Sequence, residues 1–318
     1  SVFVEDNIEL AANTLLTPGL RFDQHTQSGA NWSPSLNLTQ LLGSKVTLKA
    51  GVASAYKAPN LFQNNPNYLL YSSNNGCRVV TNGTTGCFLL GNADLKPETS
   101  INKELGLEYK DEEFSASVTW FHNDYRNKIE AGGTPIGISA TGNRSIFQWS
   151  NIDAAVVQGL EGSVRLPLGR TLAWVNHFTY MLESKNKTTG DYLSVIPEYT
   201  INSTLDWRVS GKLGLLFAAT FYGEQKPMKY DYKGVAVSGT SANTVAPYAV
   251  ASIGSNYEIS KGWKMSAGIN NLFDKRQFRQ GNSVSVSNTP VYGTTGGAGA
   301  ATYNESGRTF YVSLTSSF

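Results

Sequence analysis

The sequence predicts an all-β chain, the wall of a transmembrane antiparallel β-barrel with about 13 spanning strands. Three observations carry this. Apolar and polar residues alternate at period two through segments of about 10 to 12 residues, the length a strand tilted near 45° needs to cross a bilayer core. Aromatic residues bracket the apolar face of these segments at both ends, and the connections fall into a short class and a long one.

Composition sets the frame. Of 318 residues, 16% are charged and 40% hydrophobic, with 31 glycines and 16 tyrosines. That charged share lies below the ~25% usual for soluble domains. Mean hydropathy is nonetheless −0.25, and no run approaches the ~18 apolar residues of a membrane-spanning helix. Low charge with middling hydropathy fits a chain in which every second residue faces lipid. A net charge of +2 gives no basis for a nucleic-acid partner.

The alternation can be followed along the chain. Leu105, Leu107 and Tyr109 oppose Glu104, Glu108 and Lys110. Tyr199, Ile201, Leu205 and Trp207 share a face against Thr200, Asn202, Thr204, Asp206 and Arg208. Trp263, Met265, Ala267 and Ile269 oppose Lys264, Ser266, Gly268 and Asn270, and Phe310, Val312, Leu314 and Phe318 close the series. Trp174, Trp207, Tyr257 and Trp263 stand beside short turns, while Tyr180, Tyr199 and Phe221 stand beside long loops. That is the placement of two interfacial girdles.

Short turns fall near Gly43-Ser44, Asp111-Glu112, Pro167 to Arg170, Ser210-Gly211 and Ser260 to Gly262. Long polar loops run over 57–102, 125–155, 183–196, 225–246 and 273–307, in strict alternation with them. The long side is the extracellular one. An odd strand count is informative, because a closed bacterial barrel has an even number. With the last strand descending to the periplasm, the first also descends, so residues 1–318 read as the C-terminal portion of a barrel. The alternative is a strand missed at a ragged loop.

Cys77 and Cys87 are the two cysteines, ten positions apart in a polar, glycine-rich segment. A disulfide closing this loop is the favoured reading and implies an oxidising compartment. The histidines His25, His122 and His177 offer no ligand spacing, so no metal site is expected.

Three stretches go beyond pattern: Ala55 to Leu61 (AYKAPNL), Leu95 to Ser100 with 102–109 (LKPETS, NKELGLEY), and Asn270 to Arg276 (NNLFDKR) with the terminal strand from Gly307. Together they resemble the C-terminal barrel of TonB-dependent outer-membrane receptors. The segments NPNYLLY at 65–71, GLEG at 159–162, SKNKTTGDYLSV at 184–195, KYDYKG at 229–234 and GAGAATYNESGRTFY at 297–311, with the paired cysteines, are similar to the ferric enterobactin (catecholate siderophore) subfamily. The resemblance covers essentially the whole chain. It implies a 22-stranded barrel in the outer membrane of a Gram-negative bacterium, with an N-terminal plug and the first strands outside residues 1–318. It also implies uptake of a ferric catecholate siderophore, energised through TonB–ExbB–ExbD by the missing N-terminal part. Iron travels inside the ligand and the protein holds no cofactor directly. Outer-membrane lipid, lipopolysaccharide, and colicins or phages complete the expected partners.

Physical readings stand beside this resemblance. Pro59 and Pro97 mark ladder ends, since Pro lacks an N–H. Asn271 and Asp274 can bond their own backbone and start a loop. Phe318 ends a lipid-facing strand and resembles the signal read by barrel-assembly machinery.

A ferric tricatecholate is an anion with exposed rings, so its site calls for cations and flat aromatic faces. The five long loops hold 14 Lys and Arg against 9 Asp and Glu. The strongest candidates are Tyr71 and Arg78, brought together by the Cys77–Cys87 loop, followed by Lys226, Tyr230 and Tyr232. Arg276 and Arg279 flank Phe278, and Lys57, Gln63, Arg144, Gln148 and Trp149 can join. For any single residue, a solvated loop charge is the competing explanation. No nucleophile–base pair, Walker motif or G-x-S-x-G is present, so an enzyme is not expected. A passive, porin-like barrel is the rival reading.

Overall fold

The chain is described by a computed structural model covering residues 1–26, 28–72, 86–132, 134–193, 196–227, 229, 236, 238–277, 305 and 307–317. Its strands are β1 (Val2–Glu5), β2 (Ile8–Ala11), β3 (Thr14–His25), β4 (Gly29–Leu42) and β5 (Val46–Lys57). A one-turn helix α1 (Leu61–Asn64) precedes β6 (Leu69–Ser72), β7 (Cys87–Leu90), β8 (Glu98–Lys110), β9 (Ser115–Ala131) and β10 (Gly137–Ile138). Then come β11 (Ser145–Pro167), β12 (Leu172–Asn186), β13 (Tyr199–Arg208), β14 (Leu213–Tyr222), β15 (Tyr248–Ser260), β16 (Trp263–Asn270) and β17 (Thr309–Ser316).

The wall is one antiparallel ladder. β1 and β2 both pair with β3 and together make its first strand. From there β3, β4, β5 and β8 pair in succession, followed by β9 and then β11 through β17, each with its neighbour. That makes 13 spanning strands among the described residues, as the alternation predicts. Among the described residues β17 contacts β16 and no strand at the other end, so the sheet is open.

Register fixes the faces. Leu48, Leu107 and Val118 are mutual partners across β5, β8 and β9. Leu205 pairs with Phe217, and Phe217 with Ile253. Large apolar side chains along this face are exposed, among them Leu105, Trp174, Trp207, Phe217 and Trp263. An exposed apolar band this extensive is what lipid, not water, covers. Tyr180 opposite Tyr199, and Phe22 tilted against Trp32 with ring centroids 4.6 Å apart, mark its extracellular border. Trp174, Trp207, Tyr257 and Trp263 lie at the other border, where the sequence places them.

The turns are built as read. Asp111 Oδ1 accepts the N–H groups of Glu113 and Phe114, closing the turn from β8 to β9. Gly43, Gly169 and Gly262 take positive φ at three further turns. The alternation of long and short connections is broken at one place, however. The connection between β3 and β4 is only residues 26–28, on the side where the others are long.

The long connections are also not structureless. β6 and β7 form a hairpin, β7 runs parallel to the start of β11 (Ile146↔Phe88 to Gln148↔Leu90), and β10 flanks β11 on the other side. This four-stranded cap stands above the wall, and its small core is Cys87, Leu89 and Phe147, with Leu70, Ala131 and Trp149 packed against it. β11 belongs to both sheets, since its 23 residues continue from the cap straight into the wall.

Gly162 in the wall leaves no room for a side chain. A Cβ there would meet the Ser117 carbonyl oxygen and lie 2.8 Å from the Phe178 ring. Gly162→Val should therefore destabilise the barrel by ~1–3 kcal/mol, through overpacking. A lower temperature for loss of the folded gel band in heat-modifiability assays would register it; an unchanged temperature would refute this packing.

Candidate ligand-binding face

The cap presents one aromatic and cationic surface. Tyr71 projects from β6 half-exposed, its ring 5.4 Å from that of Phe88 on the paired strand. The guanidinium of Arg144 lies 5.3 Å from the Tyr71 ring centroid, within cation–π range. Arg144 arrives there because Gly142 and Asn143 both take the left-handed conformation (φ 76 and 48) in the turn between β10 and β11. Sequence reasoning held Arg144 only as an additional candidate; the T-G-N-R turn signature was the available signal. Arg78 and Cys77, the expected companions of Tyr71, lie outside the described residues, as do Tyr230, Tyr232 and Arg279.

The segment beneath is stitched to the wall by side-chain amides. Asn92 Nδ2 donates to the Trp149 carbonyl (2.9 Å) and Gln148 Nε2 to the Gly91 carbonyl (3.2 Å). Asn151 donates to the carbonyls of Lys96 and Asn127 while accepting the Lys96 N–H. Gln63, expected to face the ligand, is buried. Its Oε1 accepts the Asn60 N–H (2.9 Å) and closes a capping box on α1. Trp149 also packs on the cap core, and Gln148 and Trp149 act here as structural members.

The remaining candidate cations have carboxylate neighbours. Lys57 at the top of β5 is 3.1 Å from Glu98 on β8, whose Oε1 also accepts the Ile129 N–H. Lys226 stands 3.8 Å from Glu224 and lines a cleft with Glu183, Glu198 and Tyr192. That cleft is acidic, a poor seat for an anion. Lys229 reaches Asp191 at 3.1 Å, joining two loops.

A second aromatic–cation station was missed in the sequence. Tyr222 and Tyr248 are register partners at the extracellular ends of β14 and β15, stacked at 4.8 Å. They share the face of Thr220, Ser252 and Asn256, the one turned away from lipid. Lys275 Nζ lies 5.6 Å from the Tyr248 ring, and Tyr248 donates to Glu305 at 3.1 Å. The pairing joins residues 26 positions apart, and nothing local announces it.

Asn271 and Asp274 have the structural role expected of them. Both take positive φ (50 and 52), Asn271 exchanges two bonds with the Lys275 backbone, and Asp274 accepts the Arg308 N–H at 2.8 Å. Arg276, 3.4 Å from Asp274, supports the same clamp.

With this geometry in view, comparison with known proteins is decisive. Residues 1–272 match the family model "TonB dependent receptor-like, beta-barrel". The chain belongs to the TonB-dependent receptors. It is 54% identical, over its full length, to the ferric enterobactin receptor of Pseudomonas aeruginosa, and 50% identical to the ferrienterobactin receptor of Escherichia coli K12. The crystal structure of the P. aeruginosa receptor in complex with BCV-L6 superimposes with a TM-score of 0.85 at 55% identity, over 99% of this chain and 45% of that one. A variant of that receptor has been crystallised with enterobactin (TM-score 0.84, 54% identity, over 99% of this chain and 45% of that one). The chain spans 42% of the length of the two curated relatives. This receptor barrel is thus an outer-membrane protein, and its open sheet is the wall that its family builds.

The Asp274 clamp makes a pH prediction. The Arg308 N–H, then the Arg276 guanidinium, holds the Asp274 carboxyl below its ordinary range. A carboxyl lowered in the folded state stabilises above its unfolded pKa of ~3.9, and that contribution disappears as pH falls through the folded value. Asp274→Ala should thus melt below wild type at pH 7, with the gap narrowing below about pH 4. A gap that is constant with pH would assign the effect to something other than the charge.

Proposed function

We propose that residues 1–318 form the C-terminal wall and part of the ligand mouth of an outer-membrane receptor that imports a ferric catecholate siderophore of the enterobactin type. In this reading a plug and the earlier strands precede them, and TonB with ExbB–ExbD supplies the energy through that N-terminal part. The observation that supports it most is full-length identity of 54% to a ferric enterobactin receptor. The Tyr71–Phe88–Arg144 surface adds a physical reason. A tricatecholate brings about three negative charges and flat rings, and this surface offers a guanidinium and two aromatic faces together. The relatives are receptors, and the reading is one of transport rather than catalysis.

The Cys77–Cys87 bridge belongs to the same proposal. Closing a loop of about ten residues lowers the entropy of the unbound segment and holds Arg78 near Tyr71.

Tyr71→Ala combined with Arg78→Ala in the full-length receptor should weaken ferric enterobactin binding by about ten-fold or more, the worth of one or two desolvated cation–π contacts. Fluorescence-quench titration measures it, and unchanged affinity would remove this face from the site. Radioiron-labelled siderophore should accumulate only in energised cells. Equal accumulation after collapse of the proton gradient would favour the passive, porin-like barrel.

A further inference from the structure

The position of β17 is set by neither of the usual means. A hairpin loop of about two to five residues fixes the register of the strands it joins. The connection from β16 to β17 spans residues 271–308, too long to dictate where β17 pairs. At its other edge β17 has no partner strand among the described residues. Its register on β16 therefore has to be chosen by side chains.

The membrane excludes slips by one residue. They would turn Phe310, Val312 and Leu314, all exposed on the lipid face, into the lumen. Slips by two keep every side chain on its own face and escape this check.

One knob and one pit distinguish the even registers. The lumen-side residues of β17 are Thr309, Tyr311, Ser313 and Thr315, opposite Asn270, Gly268, Ser266 and Lys264. Tyr311 is the one large side chain among the four. Gly268 is opposite Gly254 on β15, so two glycines lie side by side in the row that Tyr311 enters. The Tyr311 ring lies across both. A Cβ added at Gly268 would stand 2.5 Å from the Tyr311 hydroxyl and 2.6 Å from its Cζ, and one at Gly254 would stand 2.8 Å from the hydroxyl. Cβ atoms do not approach other groups that closely, so Tyr311 fills the space that two side chains would have taken. An aromatic ring over strand glycines covers backbone that they leave bare.

The rows on either side are already filled. Toward the periplasm, Ser266 donates to Asn256 Oδ1 at 2.6 Å across the same two strands. Toward the outside, the next lumen-side residues are Asn270 on β16 and Ser252 on β15, whose hydroxyl accepts the Asn271 N–H at 3.3 Å. A slip of two would drive the Tyr311 ring against one of these rows. It would also leave only Thr309 or Ser313 over the glycines.

We propose that Tyr311 sets the register of the terminal strand: seated over Gly268 and Gly254, its ring selects one pairing of β17 on β16 before the barrel closes. The edge that β17 offers to the first strand is then fixed residue by residue, and with it the stagger on which closure depends. The inference rests on the proposed earlier strands for closure alone and on no particular cargo. Its rival is the loop clamp, in which the Asp274 carboxylate holds the Arg308 N–H one residue before β17.

Disulfides can read the register. Opposed Cα atoms on paired strands lie roughly 4.5–5.5 Å apart and diagonal ones roughly 7–8 Å, past the reach of a bridge. In the full-length receptor assembled in outer membranes, Ala267→Cys/Val312→Cys reports the native pairing. Ala267→Cys with Leu314→Cys or with Phe310→Cys reports the two slips, and mass spectrometry of the oxidised receptor counts the bridged peptides. Tyr311→Ala should raise the slipped share about five-fold, the scale of one cross-strand aromatic contact. Tyr311→Phe should keep the native pairing. Gly254→Ala, whose methyl would meet only the Tyr311 hydroxyl, should raise the slipped share, and adding Tyr311→Phe should restore the native one. A native pairing in Tyr311→Ala would overturn the proposal, and slippage in Asp274→Ala would then assign the role to the loop clamp. Should Tyr311→Ala yield too little folded receptor to map, the Gly254→Ala pair decides, and failure of Tyr311→Phe to rescue it would overturn the proposal equally.

Discussion

Every backbone N–H and C=O that crosses the hydrocarbon must be paired within the protein, and the rest of this structure follows from that requirement. An unpaired amide there costs several kcal/mol, so the chain runs as one uninterrupted antiparallel ladder from β1 to β17. Proline respects the rule: Pro18 sits on β3 opposite the break between β1 and β2, Pro34 lies just beyond the last β4–β5 pair, and Pro59 and Pro97 lie where the β5–β8 ladder has just ended. Side chains are free to vary because the backbone alone satisfies the ladder. This is why the two faces can differ so completely, one carrying Leu, Phe and Trp, the other Glu, Thr and Asn.

A ladder fixes the wall but not its mouth. There the chain uses a different device, extending wall strands beyond the membrane until they become the frame of a second sheet. β11 does this most plainly, entering the cap at Ser145 and leaving the wall at Pro167. Its parallel pairing to β7 brings Cys87, Leu89 and Phe147 into a core, which the hairpin could not build alone. Amides of Asn92, Gln148 and Asn151 then satisfy carbonyls that no ladder reaches. The outcome is a surface carrying Tyr71 and Arg144 that inherits the rigidity of the barrel. Ligand contacts mounted this way lose less entropy on binding than contacts on free loops.

Legibility in the sequence divides along the same line. Period-two alternation is local, so the strands, their faces, both girdles and the turn chemistry of Asn271 and Asp274 could be read directly. Contacts between distant segments could not. The parallel β7–β11 pairing, the placement of Arg144 on Tyr71 and the Tyr222–Tyr248–Lys275 station all depend on how loops return to the wall. Gln63 illustrates the opposite error: a polar residue in a long loop suggests a ligand contact, yet N-x-x-Q at 60–63 also spells a capping box. The short 26–28 connection shows that a loop class inferred from most of a barrel need not hold for all of it.

The bulge at Leu182 shows how much one residue can decide in such a wall. A strand that crosses a membrane has two sides with opposite requirements, and its parity is set once for its whole length. Were β12 to continue unbulged with the same sequence, the side chains following Tyr180 outward would be Leu182, Ser184 and Asn186, and Lys185 and Lys187 would turn to the lumen. There they would add positive charge to the passage rather than to the membrane rim. With the bulge, apolar residues face the acyl chains below, and Glu183 and Lys185 point outward above. A one-residue bulge thus lets one strand keep Trp174, Phe178 and Tyr180 outward below it and Glu183 and Lys185 outward above it.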